Sequence, residues 1–117
     1  MKLLMLFNAS PFSDERTYNA LRLAICLAGR EGRQLQIYLM GDAVLGAHGH
    51  QRPRADGYSP EASLARVYEL TGQKIGACGG CLSSRGLASE GLPEWCYHAT
   101  LDDLADATEW ADKVMVF

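Results

Sequence analysis

Two cysteines three residues apart are the residues of this chain best suited to chemistry. Cys78 and Cys81 enclose two glycines, and Arg85 follows within reach of either thiol. Gly79 and Gly80 let main-chain N–H groups approach a sulfur atom, and a guanidinium adds positive charge. Both effects lower the pKa of a thiol and favour the thiolate, which is its nucleophilic form. The segment therefore predicts a reactive thiol site, with Cys78, Cys81 and Arg85 as catalytic candidates.

The other cysteines and a histidine pair give weaker signals. Cys26 and Cys96 are predicted to lie buried in a helix and a strand, where a free cysteine behaves as a small apolar residue. His48 and His50 form an H-x-H pair without further ligands, which is weak evidence for a metal site. No second CxxC unit and no spaced histidine pair accompanies Cys78, so the sequence predicts no metal.

Apolar runs alternate with amphipathic segments along the chain, and this alternation predicts the scaffold. Strands are predicted at Lys2–Phe7, Leu35–Met40, Lys74–Ala77, Trp95–Ala99 and Val114–Phe117, with helices from Ser13 or Asp14 to Ala28, Ser59 to Thr71 and Thr100 to Ala111, and a short helix within Ser83–Leu87. Ala47–Gly57 is rich in Gly, His, Arg and Pro and is predicted to be an exposed loop. Alternating strands and helices imply parallel pairing with right-handed crossovers. The expected fold is a three-layer α/β sandwich.

Periodicity adds detail to individual elements. In the first helix Tyr18, Leu21, Ile25 and Ala28 fall on one face, which is predicted to point inward. His98 lies in the fourth strand and is predicted to be packed or partly exposed.

Polar residues follow the first two strands at the point where each strand ends. Asn8 and Ser10 come after the first strand, and Asp42 comes after the second. Because ligands of parallel sheets bind at the carboxyl ends of the strands, these residues join the cysteine segment in one predicted site. Asn8, Ser10 and Asp42, together with Gly79 and Gly80, are the substrate-binding candidates. Asn, Asp and Ser also form turns through local hydrogen bonds, so a purely structural role for Ser10 and Asp42 stays open.

Composition limits the class of protein. With 117 residues, 48% of them apolar and 21% charged, the chain matches one soluble globular domain spanning residues 1–117. A net charge of −3 without a basic block argues against a nucleic-acid partner. The apolar run Leu3–Phe7 is too short to span a bilayer, and no cleavage site follows it. We therefore expect a cytoplasmic protein without a membrane partner, whose cysteines are mostly reduced.

Several short motifs, taken in their order and spacing, resemble the DsrE/DsrF-like family. They are Phe7–Phe12, Asn19–Ala24, Tyr38–Val44, Gln51–Pro53 with Gly57-Tyr58, Cys78-x-x-Cys81 with Arg85-Gly86, and Ala111–Phe117. The resemblance covers essentially the whole chain, and it is greatest to the small single-chain YchN-type bacterial members.

That resemblance implies a fold, an assembly and a chemistry. The implied fold has a five-stranded parallel sheet of order 4-3-2-1-5, and the implied assembly is a trimer or a hexamer made of two trimers. Members of sulfur-relay systems carry sulfur as a persulfide on the cysteine matching Cys78, with Arg85-Gly86 matching a downstream Arg-Gly pair. Such a carrier needs no cofactor, and its partners are sulfur donor and acceptor proteins. The resemblance thus implies a sulfurtransferase or persulfide carrier.

Two other functions stay open at the level of sequence. A second thiol at Cys81, which is not general among relay members, can resolve a persulfide into a disulfide and release sulfide. The chain would then be a thiol redox or sensing protein. Without thiol chemistry it would be a ligand-binding or interaction module that uses Asn8, Ser10 and Asp42.

Oligomerisation is also predicted from the residues, since a small open sheet leaves apolar surface that one chain does not cover. The aromatic residues Tyr58, Trp95, Tyr97 and Trp110 are predicted to be exposed and to mark the interface. The loop Ala47–Gly57 is predicted to reach over a neighbouring subunit.

Overall fold

A computed structural model describes residues 1–49, 51–87 and 91–117 of the chain. Its elements, in chain order, are β1 (Lys2–Phe7), α1 (Glu15–Ala28), β2 (Gln34–Leu39), a 3₁₀ helix (Gly41–Ala47), α2 (Pro60–Thr71), β3 (Ile75–Cys78), α3 (Gly79–Ser84), β4 (Cys96–Ala99), α4 (Leu101–Trp110) and β5 (Lys113–Val116). His50, one of the two histidines of the H-x-H pair, lies outside the described residues.

The five strands form one parallel sheet of order β4-β3-β2-β1-β5, as predicted. The central strand β1 pairs with β2 from Lys2↔Gln34 to Phe7↔Leu39, and its other edge pairs with β5. A strand in this position is covered on both faces, which explains its continuous apolar run. The predicted three-layer α/β sandwich is confirmed.

Alternate residues of β1 point to two separate apolar clusters. Met5 and Phe7 belong to the larger cluster, which α1, α2 and α3 cover. Leu4 belongs to a smaller cluster with Ala107 of α4. Since successive side chains of a strand point to opposite faces, α4 lies on the other side of the sheet from α1 and α2.

The predicted helix starts are confirmed by their caps. Asp14 accepts a hydrogen bond from the Arg16 amide, Ser59 accepts one from the Ala62 amide, and Thr100 forms a capping box with Asp103.

The predicted inward face of α1 is partly wrong. Its buried residues are Thr17, Ala20, Leu21 and Ala24, whereas Tyr18 is exposed. The Tyr18 ring instead packs edge-on against the Tyr58 ring, with centroids 5.1 Å apart.

Two short helices differ from the prediction. The residues after β2 form the 3₁₀ helix, in which Ala43, Val44 and Ala47 are buried, so the exposed loop does not begin at Ala47. The short helix predicted within Ser83–Leu87 lies earlier, at Gly79–Ser84, and contains Cys81. Two glycines lower the helix propensity of this segment, which is why the sequence places the helix later.

Several predictions of exposure are also wrong. Trp95 and Tyr58 are 7% and 8% exposed and belong to the core, and Cys26 is exposed rather than buried. Cys96 is buried, as predicted. Within the described part of the chain, no helix has the length and apolar character needed to cross a membrane.

Candidate functional site

Cys78 ends β3 and caps the N-terminus of α3. Its half-buried side chain accepts a hydrogen bond from the Cys81 amide, with 3.3 Å between Sγ and N. The strand carries Gly76 opposite Tyr38, where a Cβ atom would lie only 2.9 Å from the Tyr38 ring. The small residue lets β3 run closely past that ring, which places Cys78 at the carboxyl edge of the sheet.

Cys81 lies in the first turn of α3 and faces the end of β2. Its Sγ accepts a hydrogen bond from the Gly41 amide at 3.2 Å. Gly41 has a φ of +52°, a left-handed conformation that glycine adopts readily and that turns this amide toward the sulfur. The two sulfurs therefore each receive one main-chain N–H, from different segments.

The surroundings of Cys81 favour its protonated form. Burial raises its pKa above the usual range, and a hydrogen bond with the Cys78 side chain raises it further. The Gly41 amide and the Arg85 charge lower it, but by less. Arg85 and a main-chain amide thus act in the expected direction, but burial outweighs them and the pKa of Cys81 is raised overall. The two sulfurs have different donors, because the Cys81 amide donates to Cys78 and the Gly41 amide donates to Cys81.

Arg85 follows α3 and is fixed by three oxygen atoms. Its Nε lies 2.9 Å from the Asp42 carboxylate, and one guanidinium nitrogen donates to the Cys81 carbonyl and the Ser84 hydroxyl at 3.1 Å each. Asp42 belongs to the 3₁₀ helix, so the ion pair joins the segment after β2 to the segment after β3. The Asp42 carboxylate therefore orients the Arg85 guanidinium.

Asn8 and Ser10 lie farther along the edge, after β1. The Ser10 hydroxyl accepts a hydrogen bond from the Phe12 amide at 3.1 Å, an arrangement typical of a turn. The Asn8 amide donates to the Phe117 carbonyl at 2.7 Å, and its own carbonyl lies beside Gly41. Strand β2 separates β1 from β3. The structure thus brings Asp42, Arg85 and the cysteines together, while binding roles for Asn8 and Ser10 stay predictions.

His98 adjoins the cysteines although the sequence did not include it among the site residues. It lies opposite Ala77 in the β3–β4 register, one position before the end of β4. Its imidazole occupies the space that a side chain on Gly79 would fill. The register of two short neighbouring strands is the signal that could have found it.

The two glycines between the cysteines have different surroundings. Gly79 is buried under the His98 ring, whereas Gly80 is exposed and a Cβ atom there would meet no atom within 4 Å. Gly79 is needed for space, and Gly80 leaves the site open to solvent.

A small cavity lies near the site. A cavity of about 180 Å³ adjoins α3 and is lined mainly by apolar residues, including Ala47, Leu82 and Leu87. Across residues 1–49, 51–87 and 91–117, no three His, Cys, Asp or Glu side chains are grouped to hold a metal ion. The two thiols are free and not joined in a disulfide.

Comparison with known proteins identifies the family. A model of the DsrE/DsrF-like family matches residues 1–117. The chain belongs to the DsrE/DsrF-like family. Protein YchN of Escherichia coli is 34% identical to this DsrE-like chain, over 99% of the chain and 98% of YchN. An uncharacterised protein of Methanocaldococcus jannaschii is also 34% identical, over 100% of both chains.

Solved structures agree with this assignment. The crystal structure of YchN from E. coli superimposes on the DsrE-like chain with a TM-score of 0.92, at 32% identity, covering 100% of this chain and 99% of that one. A conserved protein of unknown function from Bacteroides thetaiotaomicron gives a TM-score of 0.74 at 18% identity, covering 99% and 94%. The second likeness is one of fold alone.

Proposed function

We propose that this DsrE-like protein accepts sulfane sulfur as a persulfide on Cys78 and passes it on to an acceptor. The observation that carries the proposal is the asymmetry of the two thiols. Cys78 Sγ accepts a hydrogen bond from the amide of Cys81, whereas burial raises the pKa of Cys81. A raised pKa disfavours the thiolate of Cys81, so Cys78 is the nucleophile of the pair.

The chemistry consists of two displacements at sulfur. The Cys78 thiolate attacks the terminal sulfane sulfur of a donor persulfide, the S–S bond within the donor breaks, and the donor leaves as a thiolate. In the second step an acceptor thiolate attacks the outer sulfur, and Cys78 leaves as a thiolate. No electron is gained or lost overall, so the transfer needs no oxidant or cofactor. Arg85, held by Asp42, supports the negative charge at the site.

Sulfur loading tests this function directly. Reduced protein is treated with polysulfide, or with a cysteine desulfurase and cysteine, and its peptides are weighed by mass spectrometry. We expect the Cys78 peptide to gain the mass of one sulfur atom, and Cys78→Ser to abolish that gain. Cys81→Ser is the matched control and should still load. Unchanged loading of the protein in Cys78→Ser would contradict the assignment.

A thiol redox or sensing function is the second candidate, favoured by the placement of both sulfurs on one helical turn. In that reaction the Cys81 thiolate attacks Cys78 Sγ of the persulfide, hydrosulfide leaves, and a Cys78–Cys81 disulfide forms. An external thiol must then reduce the disulfide. The raised pKa of Cys81 slows this step at neutral pH. Measuring whether added sulfur stays on the protein or leaves as sulfide separates the two candidates.

In this proposal the chain is a single domain that acts as a homo-oligomer, a trimer or a hexamer, in the reducing cytoplasm. Its exposed large apolar residues include Leu101 at 73% and Val116 at 63% exposure, which support a covered surface in the assembly. Its other partners are a sulfur donor and a sulfur acceptor protein. The donor and acceptor would approach over Gly80, where the site is open.

A further inference from the structure

We propose that His98 is a positioning residue of the cysteine site, whose imidazole packs on Gly79 and holds the turn that orients Cys78. The proposal rests on the proposed function, because it concerns the residue that would carry sulfur. His98 belongs to β4, and the turn belongs to the start of α3. The contact therefore joins two elements across the edge of the sheet.

The ring takes the place of the side chain that Gly79 lacks. A Cβ atom on Gly79 would overlap the Nε2 and Cε1 atoms of His98, and would lie 2.8 Å from Cδ2. Nonbonded carbon and nitrogen atoms do not come this close to one another, so a side chain at residue 79 and the His98 ring cannot both be present in these positions. Glycine has the most backbone conformational freedom to lose on folding. A ring packed against it restricts its backbone conformations. His98 thus supplies the contacts that fix residue 79.

Residue 79 decides where the Cys78 side chain lies. Cys78 is the N-cap of α3, and its Sγ accepts the Cys81 amide across the turn that Gly79 and Gly80 form. Gly80 is open to solvent, so His98 is the contact that holds this turn from the β4 side. If the turn loosens, the hydrogen bond from the Cys81 amide to Cys78 Sγ weakens, and the sulfur no longer keeps one position.

The imidazole makes no hydrogen bond to any residue that the structure describes, and it is exposed. Its contribution to the site is therefore the shape of the ring. Among the residues that the structure describes, titratable groups at the cysteine turn include Cys81 and Arg85 on the α3 side and Asp42 on the 3₁₀ helix. A phenylalanine at position 98 keeps the ring and removes the titrating nitrogen atoms, and alanine removes both.

The experiment measures Cys78 alkylation against pH, with each cysteine peptide quantified by mass spectrometry. We expect His98→Ala to slow the alkylation of Cys78 at neutral pH by roughly threefold, the loss that weakening one hydrogen bond produces. His98→Phe should keep the wild-type profile. Gly79→Ala should disturb the profile, and the double variant Gly79→Ala/His98→Ala should relieve the clash. Gly80→Ala is the matched control and should behave as wild type.

Three results would overturn the proposal: a wild-type profile in His98→Ala, equal profiles for Gly79→Ala and Gly80→Ala, or a His98→Phe profile as slow as that of His98→Ala. Circular dichroism and thermal unfolding establish that each variant is folded. Sulfur loading of the wild-type protein is measured in parallel. Absence of loading with a shifted His98→Ala profile would refute the proposed function and leave the positioning role supported.

Discussion

At the scale of single residues, the four cysteines differ in the atoms that surround each sulfur. Cys78 accepts a hydrogen bond, and Cys81 is partly buried with a raised pKa. Cys96 is buried, whereas Cys26 is exposed on α1. Reactivity toward an alkylating reagent follows thiolate content and access to the sulfur. Four cysteines should therefore give four different rates.

The order of alkylation is a first prediction. Burial raises the pKa of Cys96 to about 12, so at neutral pH it should react slowest of the four. Cys78 should react faster than Cys81, because the pKa of Cys81 is raised. Peptide mass spectrometry after timed iodoacetamide treatment measures each rate. The idea of an asymmetric pair is refuted if Cys81 reacts as fast as Cys78.

Arg85 gives a second prediction at this scale. Its charge lowers the pKa of Cys81, so Arg85→Ala should raise that pKa further and slow Cys81 alkylation. Because the ion pair with Asp42 is partly exposed, the effect should be modest, about twofold to fivefold. Arg66→Ala, which removes an exposed arginine paired with Glu69 on α2, is the control. A faster Cys81 in Arg85→Ala would contradict the electrostatic role.

Tyr58 gives a third prediction. Its hydroxyl is buried and has no hydrogen-bond partner among the described residues, which costs about 1–3 kcal/mol of stability. Tyr58→Phe removes that cost, so the free energy of unfolding should stay unchanged or rise by about 1 kcal/mol. Chemical denaturation measures it, with exposed Tyr18→Phe as the control. A clear loss of stability in Tyr58→Phe would show that the hydroxyl is satisfied.

The same residue links stability to alkaline pH. Burial raises the pKa of Tyr58 from the ordinary 10.0 to about 12. Above pH 10 the unfolded chain loses this proton while the folded chain keeps it, so the unfolded state binds fewer protons and stability falls with rising pH. Tyr58→Phe lacks this group. The wild type should therefore lose stability relative to Tyr58→Phe as the pH rises from 10 to 12, in denaturation experiments at a series of pH values.

At the scale of elements, short strands and capped helices hold the site. β3 and β4 have four residues each, and their register sets His98 beside the start of α3. α4 follows β4 at once and is fixed by the capping box of Thr100 and Asp103. The position of His98 therefore depends on how α4 begins.

A fourth prediction concerns that cap. Thr100→Ala removes the hydroxyl that accepts the Asp103 amide, and should lower the free energy of unfolding by about 1 kcal/mol. Thr108→Ala, in the interior of the same helix, is the matched control and should change stability by less. Urea denaturation of the three proteins measures both effects. Equal losses in the two variants would mean that the capping box contributes nothing specific.

At the scale of the whole molecule, the two faces of the sheet are covered unequally. α1, α2 and α3 cover one face, and α4 covers the other. On the α4 side, Val114 and Val116 of edge strand β5 lie beside Leu4 and Leu6 and are exposed. Leu101, at the start of α4, is exposed as well. An apolar surface of this kind at the edge of a sheet favours association with another chain.

The fifth prediction is that the chain forms a stable trimer or hexamer. Light scattering behind size exclusion at low micromolar concentration measures the mass, and a single peak at the monomer mass of 12.8 kDa would contradict it. Val116→Lys and Leu101→Glu should weaken assembly if the α4 side is the interface. Leu23→Glu, an exposed leucine on α1, is the control.

The sequence by itself determined the five strands, the three long helices and their order. Continuous apolar runs marked the buried strands, Ser59-Pro60 and Thr100 marked helix starts, and the motif resemblance supplied the strand order, all of which the structure confirms. These signals are local, or follow from the motif resemblance, so they can be read along the chain without tertiary contacts. The CxxC pair was found in the same way, as spacing and residue type.

Only the tertiary structure decided which neighbours each site residue has. The contacts of Gly41 with Cys81, Asp42 with Arg85, and His98 with Gly79 join residues from different elements. Exposure is decided in the same way: Tyr58 was predicted to be exposed and Cys26 buried, and both were wrong. Such contacts depend on strand register and helix packing, which bring together residues far apart in the chain. The pKa of a thiol depends on those contacts, because burial and hydrogen bonding act over a few ångströms of space and not along the sequence.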